Sequence, residues 1–261
     1  MEQKKVIRKV DELTVDVEKL KSRKLQICLD TRNLTQAIKR EDYQLPTIED
    51  ITTRMAGAKV YSKLDADYGY WQIPLDEESQ LLTTFNTPFG RYCYRGMPFL
   101  IEAVQEVFQK RMAQCFEDLP AVETDIDDII VWGTSKEEQD GKLKNVLKRC
   151  QEINLTLNLE KCQFGPTEVC YVGYMLTSSG IKLDTKKVIA ITEMPAPTDK
   201  KGIERSLGTV NHLAKFIPNM STVTESIRVH LESDNEFVWE TAQKHAFEKI
   251  KQILNKEPVL K

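Results

Sequence analysis

Three carboxylates carry the chemistry that this sequence suggests. Asp127 and Asp128 stand side by side in Glu123-Thr124-Asp125-Ile126-Asp127-Asp128-Ile129-Ile130-Val131-Trp132-Gly133. β-Branched residues flank the pair and adjacent acids favour a turn, so the stretch reads as strand, Asp-Asp, strand. The third acid, Asp65, ends Val60-Tyr61-Ser62-Lys63-Leu64-Asp65, where Val60, Ser62 and Leu64 alternate with Tyr61, Lys63 and Asp65 at strand period. If these strands pair, the acids meet on one sheet edge and repel one another unless a cation lies among them. Ligands that are all oxygen suit Mg²⁺, and two such ions clamp the attacking and leaving oxygens in phosphoryl transfer. An Asp-Asp pair alone is more often a solvated turn. Its surroundings in the chain must decide.

Those surroundings are bounded by length and composition. The 261 residues suffice for one large domain or two small ones. No apolar run reaches membrane-spanning length, and Met1-Glu2-Gln3-Lys4-Lys5 opens no segment like a signal peptide. Cys28, Cys93, Cys115, Cys150, Cys162 and Cys170 lack zinc-type spacing, which implies reduced thiols in a cytoplasmic or nuclear protein. His212, His230 and His245 fall on helical stretches away from the acids. The formal net charge of −3 leaves few cations for phosphate contacts, although residues 4–9, 142–149 and 182–187 are locally basic.

The elements that must position the acids follow from periodicity. Residues 1–24 are charged with a weak helical pattern, and Leu25–Leu29 reads as a short strand. Thr47-Ile48-Glu49-Asp50 opens a helix that Gly57 can close. Thr83–Tyr94 reads as two strands around Pro88. Val104, Val107, Phe108, Met112, Cys115 and Phe116 place one buried helix face over 103–116. Ser135-Lys136-Glu137-Glu138 is a capping box before a helix with Leu143, Val146, Leu147, Cys150 and Ile153 on its apolar face. Short strands are expected near Leu155–Leu157 and Val169–Leu176. After Met194-Pro195-Ala196-Pro197, a long helix from Thr198 runs through Leu207 and Phe216 to Pro218, and 240–255 is helical again. The fold class is therefore α+β: helices on one face of a mostly antiparallel sheet, with the acids on the other.

These stretches together resemble the reverse transcriptase of gypsy-type LTR retrotransposons over nearly the whole chain. The carriers are Leu64-Asp65, Gly69-Tyr70-Trp71-Gln72-Ile73-Pro74-Leu75, Thr83-Thr84-Phe85-Asn86-Thr87-Pro88-Phe89-Gly90, Met97-Pro98-Phe99, Phe108-Gln109 and Asp127-Asp128. Further carriers are Leu157-Asn158-Leu159-Glu160-Lys161-Cys162-Gln163-Phe164-Gly165, Tyr171-Val172-Gly173 and Asn211-His212-Leu213-Ala214-Lys215-Phe216-Ile217-Pro218-Asn219. The resemblance implies a right-hand polymerase with truncated fingers (1–44 and 75–96), a palm (45–74 and 97–182) and a helical thumb or connector (183–261). It implies Asp65, Asp127 and Asp128 as the ligands of Mg²⁺, or Mn²⁺ in its place. Lys161 falls where the family is proposed to protonate the leaving pyrophosphate. Tyr70 falls at the sugar gate, and Phe99 and Arg32 at the incoming nucleotide. Tyr171, Val172 and Gly173 fall at the primer grip. The implied partners are an RNA/DNA primer–template and dNTPs, with no membrane. Protease, RNase H and integrase segments are not expected within this chain.

The sequence also departs from the family pattern. Asp125 stands where the hairpin usually has Tyr, Leu100 where it has Gly after Met-Pro-Phe, Gln26 where it has a phosphate-binding Arg, and Thr35 where it has Asn. Only Leu13–Glu18 stands where a full fingers strand is expected. Two functions are thus open: an RNA-directed DNA polymerase using two-metal nucleotidyl transfer, or a catalytically impaired relic that acts as a nucleic-acid or protein binding module.

Overall fold

The computed structural model describes residues 46–99, 101–211, 213–229 and 239–256, the short stretches 7–10, 17–18, 28–29, 34–35 and 43–44, and residues 38, 237 and 259. Gln26, Arg32, Leu100, His212, His230 and most of the 13–18 stretch lie outside the described residues. The chain forms two compact units, residues 1–167 and 168–261.

The first unit runs β1 (Ile7–Val10), β2 (Val17–Glu18), β3 (Cys28–Leu29), α1 (Ile48–Arg54), β4 (Val60–Asp65), α2 (Gly69–Gln72), α3 (Glu77–Leu82), β5 (Phe85–Thr87) and β6 (Gly90–Tyr94). It continues with α4 (Glu102–Phe116), β7 (Val122–Asp125), β8 (Asp128–Gly133), α5 (Lys136–Glu152) and β9 (Gln163–Phe164). Its central sheet has the order β7-β8-β4-β9, antiparallel throughout. The same unit holds a smaller sheet, β1-β6-β5, and the pair β2-β3.

Local chemistry sets the helix starts. Thr47 Oγ1 accepts from the Asp50 amide at 3.3 Å while the Asp50 carboxylate accepts from the Thr47 amide at 2.9 Å, a complete capping box for α1. At α5 only half the expected box forms. Ser135 Oγ accepts from the Glu138 amide, but the Glu138 carboxylate turns back to the Thr134 amide at 2.8 Å and to Lys142 at 2.6 Å.

The pleat separates core from chemistry. Leu64 pairs with Ile129 and Ser62 with Val131 across β4 and β8. Leu64, Ile129 and Val131 pack with Val104, Phe108, Met112 and Phe116 of α4 and with Val146 and Cys150 of α5. Lys63, Asp65, Asp128 and Ile130 alternate with that set and so project from the opposite face. The helices cover one face and the acids occupy the other, as the patterning predicts. Buried Ser62 joins the layers: its Oγ accepts from Gln139 Nε2 at 2.7 Å and from the Gly165 amide at 3.0 Å.

Several sequence expectations are corrected. Ile7–Val10, inside the stretch with a weak helical pattern, is a strand paired to Arg91–Tyr94. The strand expected at 155–157 reduces to one bridge, Leu157 to Ala66. The second unit begins with a meander of β10 (Glu168–Tyr171), β11 (Tyr174–Thr177) and β12 (Gly180–Leu183), so the strand expected over 169–176 folds back at Val172-Gly173. Among the described residues, four helices follow: α6 (Thr185–Thr192), α7 (Lys200–Asn211), α8 (Met220–Arg228) and α9 (Thr241–Asn255). The long helix expected to reach Pro218 ends at Asn211, and Ala214–Phe216 forms a separate 3₁₀ turn. Helix α8, unforeseen, buries Val223, Thr224 and Ile227.

Candidate active site

The sheet register brings the acids together. Asp125 pairs with Asp128 across β7 and β8, and Asp128 pairs with Asp65 across β8 and β4. The three form a cross-strand row on the face away from the helices, and cross-strand partners project on the same side within side-chain reach. Asp127 lies in the turn beside this row. Its carbonyl accepts from the Ala66 amide at 2.8 Å, which fastens the turn to the end of β4.

Like charges at this density shift proton affinities. Asp127 is pushed up to about 6, first by burial and then by the charges of Asp65 and Asp128. Its Oδ1 is buried without a hydrogen-bond partner. Asp125 is also raised, by burial and then by Asp128, against the opposing charge of Lys63.

Two lysines balance the row. Lys161 Nζ donates to Asp65 Oδ1 at 3.2 Å and Oδ2 at 3.1 Å, and this contact raises the lysine's own proton affinity. Lys63 Nζ stands 2.7 Å from Asp128 Oδ2. Their surroundings differ: the Lys161 side chain is 64% exposed and that of Lys63 is 21% exposed.

Two buried or half-buried glutamines position these groups. Gln109, 1% exposed on α4, donates from Nε2 to the Thr124 carbonyl at 2.6 Å and accepts at Oε1 from the Ile126 amide at 2.7 Å. It thereby holds the turn in which Ile126 takes the left-handed φ of 51°. Gln72 donates to the carbonyls of Asp67 at 2.8 Å and Thr156 at 3.0 Å and accepts from the Thr156 amide at 2.7 Å. With the Asn158 amide donating to the Asp65 carbonyl at 2.8 Å, it lays the 156–158 segment along the end of β4 and carries Lys161 to Asp65.

Aromatic residues line the adjoining segment. The Tyr70 ring meets Phe108 edge-on at 4.9 Å, and the phenol is raised by burial and then by the charge of Asp127. A Cβ at Gly69 would stand 2.3 Å from Asp127 Oδ1 and 2.6 Å from the Phe108 ring, so only glycine fits there. Phe99 is tilted against Trp71 at 6.5 Å, and Trp71 stacks on Tyr68 at 4.9 Å. Tyr171, Val172 and Gly173 belong to the second unit, where they form the β10–β11 turn. Arg32 lies outside the described residues.

The donor set fits a hard divalent cation: carboxylate oxygens from neighbouring strands, one of them buried and unpartnered. Among the described residues no three acid, His or Cys side chains stand ready-grouped around an ion, since Asp65 and Asp128 are turned to their lysines.

Sequence reasoning left Gln72, Gln109 and Lys63 without roles. Gln109 carried a signal: it shares the i, i+3, i+7 spacing of Met112 and Phe116, and a polar residue on a buried stripe needs a partner.

Comparisons with known proteins bear on the family and the fold. Residues 7–176 match the family model described as reverse transcriptase (RNA-dependent DNA polymerase). The chain is 30% identical over 240 residues to the retrovirus-related Pol polyprotein from transposon 297 of Drosophila melanogaster, covering 91% of this chain and 23% of that one. It is 29% identical to the transposon Tf2-3 polyprotein of Schizosaccharomyces pombe over 91% of this chain and 18% of the polyprotein. The chain thus spans less than a quarter of the length of these relatives. The fold superposes on the foamy viral protease-reverse transcriptase in complex with dsDNA, with a TM-score of 0.89 and 20% identity over 99% of this chain and 56% of that one.

Proposed function

From the premise that the chain belongs to the reverse transcriptase family, and is similar to the reverse transcriptase part of retrotransposon Pol polyproteins, we propose that it is an RNA-directed DNA polymerase domain of gypsy type. The observation that carries this reading is the cross-strand placement of Asp65 and Asp128 with Asp127 in the adjoining turn. Asp65, Asp127 and Asp128 would hold Mg²⁺, or Mn²⁺ in its place. Bound there, the cation supplies charge neutralisation where a primer 3′-OH displaces pyrophosphate from a dNTP.

The chain's own groups have distinct tasks in this reading. Lys161 is kept protonated by Asp65, which suits it to donate a proton to the leaving pyrophosphate. Tyr70, propped by Phe108, is the sugar gate, and Phe99 and Arg32 are assigned by family position to nucleotide binding. Tyr171, Val172 and Gly173 are the primer grip. Residues 45–74 and 97–182 make the palm, 1–44 and 75–96 the truncated fingers, and 183–261 the helical thumb or connector. The partners are an RNA/DNA primer–template and dNTPs, in cytoplasm or nucleus.

One observation favours the second reading, an impaired relic. Asp125 brings a fourth acid to the group formed by Asp65, Asp127 and Asp128, in register with Asp128. Primer extension on a homopolymer RNA template, with Mg²⁺ and Mn²⁺ in parallel, separates the two. The polymerase reading expects extension that Asp127→Asn abolishes. No extension with either metal by folded protein leaves the relic reading.

A further inference from the structure

In the second unit a lysine reaches the tip of the β10–β11 hairpin. Helix α6 is capped by Asp184, whose carboxylate accepts from the Lys186 amide at 3.0 Å, and is anchored by buried Val188 and Ile191. Lys187 stands one residue before Val188. It is exposed, and its ammonium lies 5.2 Å from the centre of the Tyr174 ring. That ring is itself stacked on Phe216 at 6.0 Å. An ammonium over a fixed aromatic face is held in place without being neutralised.

The same ammonium closes on the hairpin backbone. A Cβ at Gly173 would stand 2.4 Å from Lys187 Nζ and 3.3 Å from its Cε. Glycine is therefore needed here twice, for the φ of 74° and for the room that the lysine takes. Among the described residues no carboxylate pairs with Lys187, whereas Lys182 on β12 faces Glu168 at 3.5 Å and Lys251 on α9 faces Glu248 at 3.9 Å. The Val172 and Gly173 amides also lack acceptors among the described residues, because the ladder ends at the Tyr171–Tyr174 pair. One uncompensated ammonium and two N–H donors thus stand at a single turn. Such a turn suits an oxyanion with several oxygens, and the one that a primer–template presents is the phosphodiester.

We propose that Lys187 seats a backbone phosphate of the primer strand at this turn, and that residue 173 is glycine so that the ammonium can lie there. The inference rests on the reading of Tyr171, Val172 and Gly173 as the primer grip, and adds to it a charged residue from a different element. It names one cation for that task in a chain whose net charge of −3 leaves few.

The test is binding of a fluorescently labelled DNA primer annealed to an RNA template, read by anisotropy in metal-free buffer from about 50 to about 200 mM KCl. The slope of log affinity against log salt counts phosphate contacts, at about 0.9 per contact. Lys187→Met should lower its magnitude by about 0.9 and weaken binding about fivefold at the low-salt end. Lys187→Arg keeps the charge and should keep the parent slope. Gly173→Asn is the sharper variant. Asparagine tolerates left-handed backbone, and the far end of a lysine swings aside at little cost, so the hairpin should fold. The ammonium is nevertheless displaced, and the slope should fall as it does in Lys187→Met. The double variant Lys187→Met/Gly173→Asn should bind no more weakly than either single one, as expected of two changes that remove one interaction. Lys186→Met, also exposed, should keep the parent slope. A loss equal to that of Lys187→Met would mean that α6 contributes only diffuse charge, and overturns the inference.

Uncharged methylphosphonate linkages locate the phosphate. At the 3′-terminal linkages of the primer they should weaken binding by the parent but not by Lys187→Met, and in the template strand they should weaken both alike. The reverse pattern means that the phosphate is not the primer's, and the inference fails. Should Lys187→Met not fold, the same comparison between the parent and Gly173→Asn decides. An unchanged slope in Lys187→Met, with the parent binding, sinks the role of Lys187 alone. A parent that does not bind primer–template sinks the nucleic-acid reading and this inference with it.

Discussion

The β7–β8 and β10–β11 hairpins each turn through two residues, and they do so by different means. Between β10 and β11 the loop is Val172-Gly173, with φ of 50° and 74°. Positive φ at both central positions is what a two-residue type I′ hairpin requires, and glycine at the second position supplies it without steric cost. Between β7 and β8 the loop is Ile126-Asp127. Ile126 takes φ 51° although it is β-branched, a conformation that costs such a residue roughly 1–2 kcal/mol. This turn is imposed from outside. Gln109 grips its amide and the Thr124 carbonyl, and the Ala66 amide grips the Asp127 carbonyl. The first hairpin is made by its own residues. The second is held by a helix and a neighbouring strand, and it is the one that carries mutually repelling acids. A turn that must present charge at a fixed place gains from supports lying outside the hairpin.

The sharpest way to break this contrast is to remove the support. Gln109→Leu keeps the side chain's bulk but leaves the Ile126 amide and the Thr124 carbonyl without their partner. Each orphaned group costs about 1–3 kcal/mol, so a loss of roughly 2–4 kcal/mol is expected in urea denaturation. Unchanged stability would mean that the turn around Ile126 supports itself, and the difference between the hairpins would vanish.

The charges provide a smaller and pH-dependent test. Asp127 is raised from 3.8 to about 6 in the folded chain. Between those values the unfolded chain has lost the proton while the folded chain keeps it, so stability falls as pH rises from about 4 to about 6. Discounted for partial solvent screening, the fall amounts to about 1–2 kcal/mol. In metal-free buffer, Asp127→Asn should flatten this segment of the stability profile relative to the parent. Taking the difference between the two proteins cancels groups shifted elsewhere, such as Asp50 and Asp118, which are lowered. Parallel profiles from pH 4 to 7 would show that Asp127 bears no strain from its neighbours.

These two turns also mark what a linear sequence makes legible. The alternation in Val60–Asp65 was readable because a pleat has period two and one face is buried, and it placed Asp65 opposite the core correctly. The α+β class followed from the same logic applied along the chain. The bend at Val172-Gly173 carries its glycine in plain view, yet the apolar run Val169–Leu176 reads as one strand, because continuous hydrophobicity outweighs a single turn residue. Ile126 offered no signal at all, since a β-branched residue argues against left-handed backbone and its support lies on another helix. Lys63 and Asp128 meet only once the register of β4 and β8 is known. Helix α8 is hard to read from the sequence because Ser221, Thr222 and Thr224 dilute a short apolar stripe of Met220, Val223 and Ile227.

The smallest predicted effect separates a self-made turn from an imposed one by sign. Val172 is 36% exposed, so replacing its side chain forfeits little burial. At φ 50° asparagine is far better tolerated than valine, and Asn-Gly is the preferred pair for a type I′ hairpin. Val172→Asn should therefore raise stability by about 0.5–1 kcal/mol, a few degrees in thermal midpoint. Ile126 has the same backbone strain but packs against the core that includes Phe108 and Ile129. Ile126→Asn relieves the strain and loses that packing, which is worth about 1–3 kcal/mol for a side chain of this size, so no gain is expected. Thermal denaturation of the two single variants side by side is sufficient. If Ile126→Asn stabilises the chain as much as Val172→Asn does, the isoleucine is not anchored by its surroundings. The contrast then reduces to the glycine alone.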